Sequence, residues 1–210
     1  MNIVLSRRLG VFGLCILAVC PDHASTILVE PDLLPQGTNI RNAFPGVTLS
    51  VEGKPGAEVF AVTEYFNVLA TTGSLVFGQI PEPSVAVPTG WDENLGLLRA
   101  EFSSPASYVQ IDLIFDDDDI ASLWAYGSSG NLLDIFTAAG DGRNPVRFAT
   151  ASITRPGFDI AYILAGGNVA EAVSLDNLQV RVSDVPEPAT LALLGLGLVG
   201  ITASRRRKLN

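Results

Sequence analysis

SYVQIDLIF, residues 107–115, decides the fold class. Val109, Ile111, Leu113 and Phe115 fall on one side of this run, with Gln110 and Asp112 on the other. Successive side chains of an extended chain leave opposite faces, so this alternation describes a strand with one buried and one polar face. At helical spacing the same four apolar residues would scatter around the axis. The run is a strand.

Working outward, residues 120–126 (IASLWAY) and 131–136 (NLLDIF) are joined by Gly127-Ser128-Ser129-Gly130, whose glycines suit a hairpin connection. Runs at 146–154, 158–164 and 174–182 continue the pattern; in the last, Leu178, Val180 and Val182 alternate with Gln179 and Arg181. Upstream, similar runs lie at 26–30, 47–51, 58–63, 74–77 and 95–102. About ten or eleven short strands punctuated by Gly, Pro, Asn and Asp predict an all-β fold, a two-sheet jelly-roll-like sandwich. A parallel α/β sheet needs crossover helices. The only helical turns the sequence suggests are at 64–69 and 168–172.

Charge is partitioned along the chain. Residues 25–184 hold 7 Lys and Arg against 20 Asp and Glu, a balance of −13. With no basic surface to displace phosphate counterions, a nucleic-acid partner is not expected. Cys15 and Cys20 are the two cysteines and His23 is the only histidine, all outside 25–184. That central region therefore has no disulfide, no usual zinc ligand set and no Ser-His-Asp chemistry. A domain of about 160 residues buries about 70% of its unfolded surface and needs no such staple.

Residues 1–24 read as an export signal. Arg7 and Arg8 are a positive start, and residues 9–19 (LGVFGLCILAV) are an apolar run of signal-peptide length. Pro21 breaks a helix there, and Ala24 is small enough to precede a cut, although Asp22 occupies a position where a small residue is preferred. The rival reading, lipidation at Cys20, is opposed by bulky Val19 before it.

Residues 185–210 have three parts in order. Val185, Pro186, Glu187 and Pro188 make a stem that its prolines hold extended. Residues 189–204 carry no charge and as a helix rise roughly 24 Å, somewhat under the roughly 30 Å hydrocarbon core. Arg205, Arg206, Arg207 and Lys208 form a cytoplasmic stop, which leaves the preceding domain outside. A second Pro-Glu-Pro at 81–83 lacks both the span and the basic cluster, and reads as a surface loop.

This tail resembles the PEP-CTERM sorting signal of exported bacterial proteins. The resemblance implies recognition by an exosortase, anchorage in the inner membrane before processing, and a surface or extracellular destination associated with exopolysaccharide or biofilm. The central region also resembles jelly-roll, galactose-binding-like domains, through the phrase Leu175-Asp176-Asn177-Leu178 in its last strand.

Two groups of residues are expected to carry chemistry. Asp116, Asp117, Asp118 and Asp119 crowd four carboxylates into one loop, which calcium would relieve, although the spacing is not that of an EF-hand and a solvated turn serves as well. Trp91, Trp124, Tyr126 and Tyr65 are the aromatics suited to stacking on a sugar. Trp91 follows Pro88-Thr89-Gly90 in a loop and is expected to be exposed, whereas Trp124 shares the Ile120 side of its strand and is expected to pack in the core. No nucleophile elbow or phosphate loop is present, and paired carboxylates are the remaining route to catalysis, as in glycoside hydrolysis. The expectation is a non-enzymatic surface module associated with exopolysaccharide, with no cofactor unless calcium binds. The alternatives are a matrix protein without a sugar site and a carboxylate-based hydrolase.

Overall fold

The computed structural model describes residues 24–63, 70–80, 90–115, 119–140, 147–168 and 172–183. These form ten strands: β1 Ala24–Val29, β2 Val47–Glu52, β3 Glu58–Thr63, β4 Leu75–Ile80, β5 Leu97–Phe115, β6 Ile120–Tyr126, β7 Leu132–Ala139, β8 Arg147–Thr154, β9 Ile160–Gly167 and β10 Ser174–Ser183. A 3-10 turn at Pro31–Leu33 is the only helical element among the described residues. The expected all-β class is found. Among the described residues no helix is long and apolar enough to cross a membrane. The expected signal helix and the helix at 189–204 lie outside the described residues, as do the suggested turn at 64–69 and most of that at 168–172.

One expectation needs correction. The runs at 95–102 and 107–115, read as separate strands, are one strand of 19 residues. Between them the register against β9 slips, from the pair Glu101–Tyr162 to the pair Ala106–Ile160. Pro105 falls inside this slip, where its missing N–H breaks no ladder bond. Ser103 donates its backbone N–H sideways to Gly46 O at 2.9 Å, so the interval stays extended while bonded elsewhere.

The slip gives the halves of β5 different neighbours. Residues 97–102 lie between β2 and β9, and β9 leads on to β6 and β7. Residues 108–115 lie between β8 and β10, and β10 leads to β1, β4 and β3. Every strand pairing is antiparallel. Inward residues of both groups meet in one cluster, with Leu98 and Ala100 from the first half of β5 and Val109, Ile111 and Leu113 from the second. Leu123, Ile163, Leu175 and Val180 join them, all fully buried. Each such aliphatic side chain contributes about 1.5–3 kcal/mol by leaving water. The alternation in 107–115 is therefore realised: its apolar row is core, and Gln110 and Asp112 lie on the other side.

Candidate functional site

The outer face of the β2–β5–β9–β6–β7 group is lined by residues whose neighbours along each strand point inward. On β6, Ala121, Leu123 and Ala125 are buried, which turns Trp124 and Tyr126 outward to partly buried positions. On β9, Ile163 and Ala165 point inward, and Tyr162 and Leu164 outward. Register then assembles the row. Trp124 sits across from Leu164 on one side and Ile135 on the other, and Tyr126 sits across from Tyr162. Leu132 and Ile135 on β7 are about half exposed and extend the apolar surface.

The two tyrosines stack nearly parallel, with ring centroids 4.9 Å apart and planes 5° from each other. The Arg99 guanidinium lies over the far face of Tyr162, 3.8 Å from its centroid. Two carboxylates fix it there. Glu101 Oε1 accepts from Arg99 Nε at 2.9 Å and lies 2.7 Å from Nη2, while Glu52 Oε2 accepts from Nη1 at 3.0 Å. Burial works against the guanidinium charge, but the bonds to Glu101 and Glu52 outweigh it and hold the Arg99 pKa above its usual value. The Tyr126 phenol is raised by burial first, then by Tyr162 and the charge on Glu52, so it stays protonated. Beside Glu101 a hollow of about 360 Å³ opens, lined by Asn42, Phe44, Pro45, Thr48, Phe102 and Ser103 among others. The face thus offers an indole, a stacked phenol pair and a carboxylate rim, which suits stacking and hydrogen bonding to a polar ligand with apolar faces.

Of the sequence-predicted aromatics, Trp124 and Tyr126 are brought together here. The core position expected for Trp124 is corrected: both sides of IASLWAY are largely apolar, and the smaller set is the one buried. Trp91 is corrected the other way. It is fully buried, its indole Nε1 donates to Phe77 O at 2.7 Å, and its backbone bonds Val173 and Gly167. It pins β4 to the ends of β9 and β10 and has no face open to a ligand. Tyr65 and Asp116–118 lie outside the described residues; Asp119 is described, and its carbonyl accepts from Gly140 N at 2.9 Å. The sorting residues Val185, Pro186, Glu187 and Pro188 and the basic cluster 205–208 also lie outside them.

Sequence reasoning missed Tyr162, Arg99, Glu52 and Glu101. The parity of 158–164 groups Tyr162 with Leu164, but nothing in the sequence shows that β9 pairs with both β5 and β6.

A second polar cluster lies on the outer side of the other strand group. Asp176 Oδ2 accepts from the backbone N–H groups of Thr71 at 2.8 Å and Thr72 at 3.0 Å. The Thr71 hydroxyl lies 2.7 Å from Asp112 Oδ2 and 2.9 Å from Asp176 Oδ2; the Thr72 hydroxyl lies 2.7 Å from Glu30 Oε2 and 3.3 Å from Asp176 Oδ2. Two hydroxyl protons thus face four carboxylate contacts. Burial is the main reason that Asp176 is raised and that Glu30 is pushed up to about 6; Asp176's charge adds to the latter, against the Thr72 bond. Asn177, at φ 50, makes the bulge that aims this corner, since asparagine tolerates the left-handed region. The cluster latches residues 71–72 to β10 and is structural.

Residues 184–208 match the PEP-CTERM protein-sorting motif. What the fold and that motif define is an all-β domain on an exosortase-sorted, exported chain, held in the membrane by its C-terminal segment before processing and then placed at the surface. No curated protein matches the chain in sequence. Among solved structures, the K2 cleaved adhesin domain of Lys-gingipain shares 12% identity at a TM-score of 0.47, over 75% of this chain and 97% of that one. The CBM22-1 xylan-binding domain of Xyn10C from Paenibacillus barcinonensis shares 12% identity at 0.44, over 80% and 100%. At these scores the likeness decides neither topology nor ligand.

Proposed function

We propose that this protein is a non-enzymatic surface module, with a two-layered jelly-roll-like sandwich, that binds polysaccharide through the outer face bearing Trp124, Tyr126 and Tyr162. The two-layer reading is supported by the separate neighbours of the two halves of β5 and the single apolar cluster they share. The single observation that carries the binding reading is the outward placement of a tryptophan and a stacked tyrosine pair beside an ion-paired arginine. A protein that folds for stability alone gains most from such rings by burying them. The surface destination that the sorting motif implies supports this reading, since a polysaccharide ligand would be met there.

The test is retention on the producer's own exopolysaccharide. Trp124→Ala and Tyr126→Ala should each weaken retention at least about tenfold, the loss of one stacking contact of about 1.4 kcal/mol. Retention unchanged by both substitutions would reject the face as the site and favour a matrix role without one.

A further inference from the structure

We infer that the polysaccharide taken by this face is an amino-sugar polymer with free ammonium groups, an assignment that rests on the binding reading above. Arg99 is the cation that touches the tyrosine pair, and it is already ion-paired. Its Nε and Nη2 are held by Glu101 and its Nη1 by Glu52, with the guanidinium flat against Tyr162. A uronate or sulfate approaching it would have to displace a carboxylate that is already in place. The three groups sum to −1, so they offer an anion no unpaired positive charge.

What remains open favours a cation. Glu101 spends Oε1 on Arg99 and Glu52 spends Oε2, which leaves Glu101 Oε2 and Glu52 Oε1 as acceptors on side chains 51% and 45% exposed. Beyond them lie Tyr162, Tyr126 and Trp124, reached across three inter-strand steps of about 4.8 Å each. Carboxylates hold an ammonium group by charge-assisted hydrogen bonds, while the aromatic row takes the C–H faces of neighbouring sugar units. The glucosamine ring also offers C–H faces to Trp124.

An acidic domain adsorbs polycations without any site, so the test must separate the two effects. Full-length protein in neutral detergent is bound to particles of poly-β-glucosamine and of its fully N-acetylated counterpart at about pH 5.5. Salt is about 0.15 M, where a Debye length of about 8 Å screens distant charges. Retention on the amine-bearing polymer should exceed that on the acetylated one at least about tenfold. The double variant Glu52→Gln/Glu101→Gln should erase that preference, while Glu58→Gln/Glu93→Gln, which removes the same charge elsewhere, should keep it.

Equal losses from both double variants would mean adsorption by net charge and overturn the inference. So would stronger retention on the acetylated polymer; if Trp124→Ala abolished that retention, the binding reading would survive without the ammonium preference. Retention on both polymers indifferent to Trp124→Ala would overturn the binding reading itself.

Discussion

The two halves of β5 are one strand with opposite outer faces. Residues 97–102 send Arg99 and Glu101 out beside tyrosines, in ion pairs left partly in water. Residues 106–115 send out Asp112, which is 4% exposed and bonded to Thr71, Thr150 and Asn177. Both faces are polar, yet the carboxylates serve different ends. On the second face each one replaces water for a buried donor, so removing it strands that donor. On the first, carboxylates and guanidinium keep their own hydration and each other, so removal leaves little unsatisfied. Polarity on a sheet's outer side is therefore no guide to function until burial is known.

The largest expected effect belongs to the core the two halves share. Trp91→Ala should cost about 4 kcal/mol, as truncation of a fully buried tryptophan leaves a cavity and here also removes a hydrogen bond to the Phe77 carbonyl. Next is Asp176→Ala, at about 3 kcal/mol, because the backbone N–H groups of Thr71 and Thr72 lose their acceptor inside the fold. Urea midpoints followed by circular dichroism measure both. A cost below about 1 kcal/mol for Asp176→Ala would show that water reaches the latch, and would erase the contrast between the faces.

The second face should also respond to pH with the reverse of the usual acid sensitivity. Glu30, ordinarily at 4.5, is pushed up to about 6 by burial and by Asp176. The folded state then binds this proton more tightly than the unfolded chain, and stability from this group is full below about 4.5 and is lost as pH rises to about 6. Asp176 is raised as well and acts in the same direction. Protonation also supplies the hydrogen that the two threonine hydroxyls cannot. Glu30→Gln should flatten melting temperature between about pH 4.5 and 6; an equal slope in wild type and variant would place the titration elsewhere.

What the sequence made legible follows the same division. Alternation in 107–115 identified the inward row of β5, because Val109, Ile111 and Leu113 differ so plainly from Gln110 and Asp112. It failed for Trp124, since Ile120, Trp124 and Tyr126 are no less apolar than Ala121, Leu123 and Ala125, and hydropathy cannot rank two apolar sides. The loop setting of Trp91 gave no sign of its burial, which follows from bridges to Val173 and Gly167 more than seventy residues away. Arg99 and Tyr162 belong to strands 63 positions apart, and only the register of β5 on β9 brings them together. Local pattern shows which way a strand faces; long-range pairing shows what it faces with.

The smallest expected effect is the sharpest test of the contrast. Arg99→Met keeps an unbranched stem against Tyr162 and removes the charge. Glu52 and Glu101, 45% and 51% exposed, regain water when the guanidinium goes, so the folded state should lose no more than about 1 kcal/mol. The stem's packing on the ring is retained, which further limits the cost. Raising salt should shift wild type and variant alike, because the pairs at stake are already screened at their outer edge. A loss above about 2 kcal/mol would mean that the Arg99–Tyr162–Tyr126 stack holds the sheet together, as the Asp176 latch holds the other group. The aromatic face would then be explained by stability, and its exposure would no longer argue for a ligand.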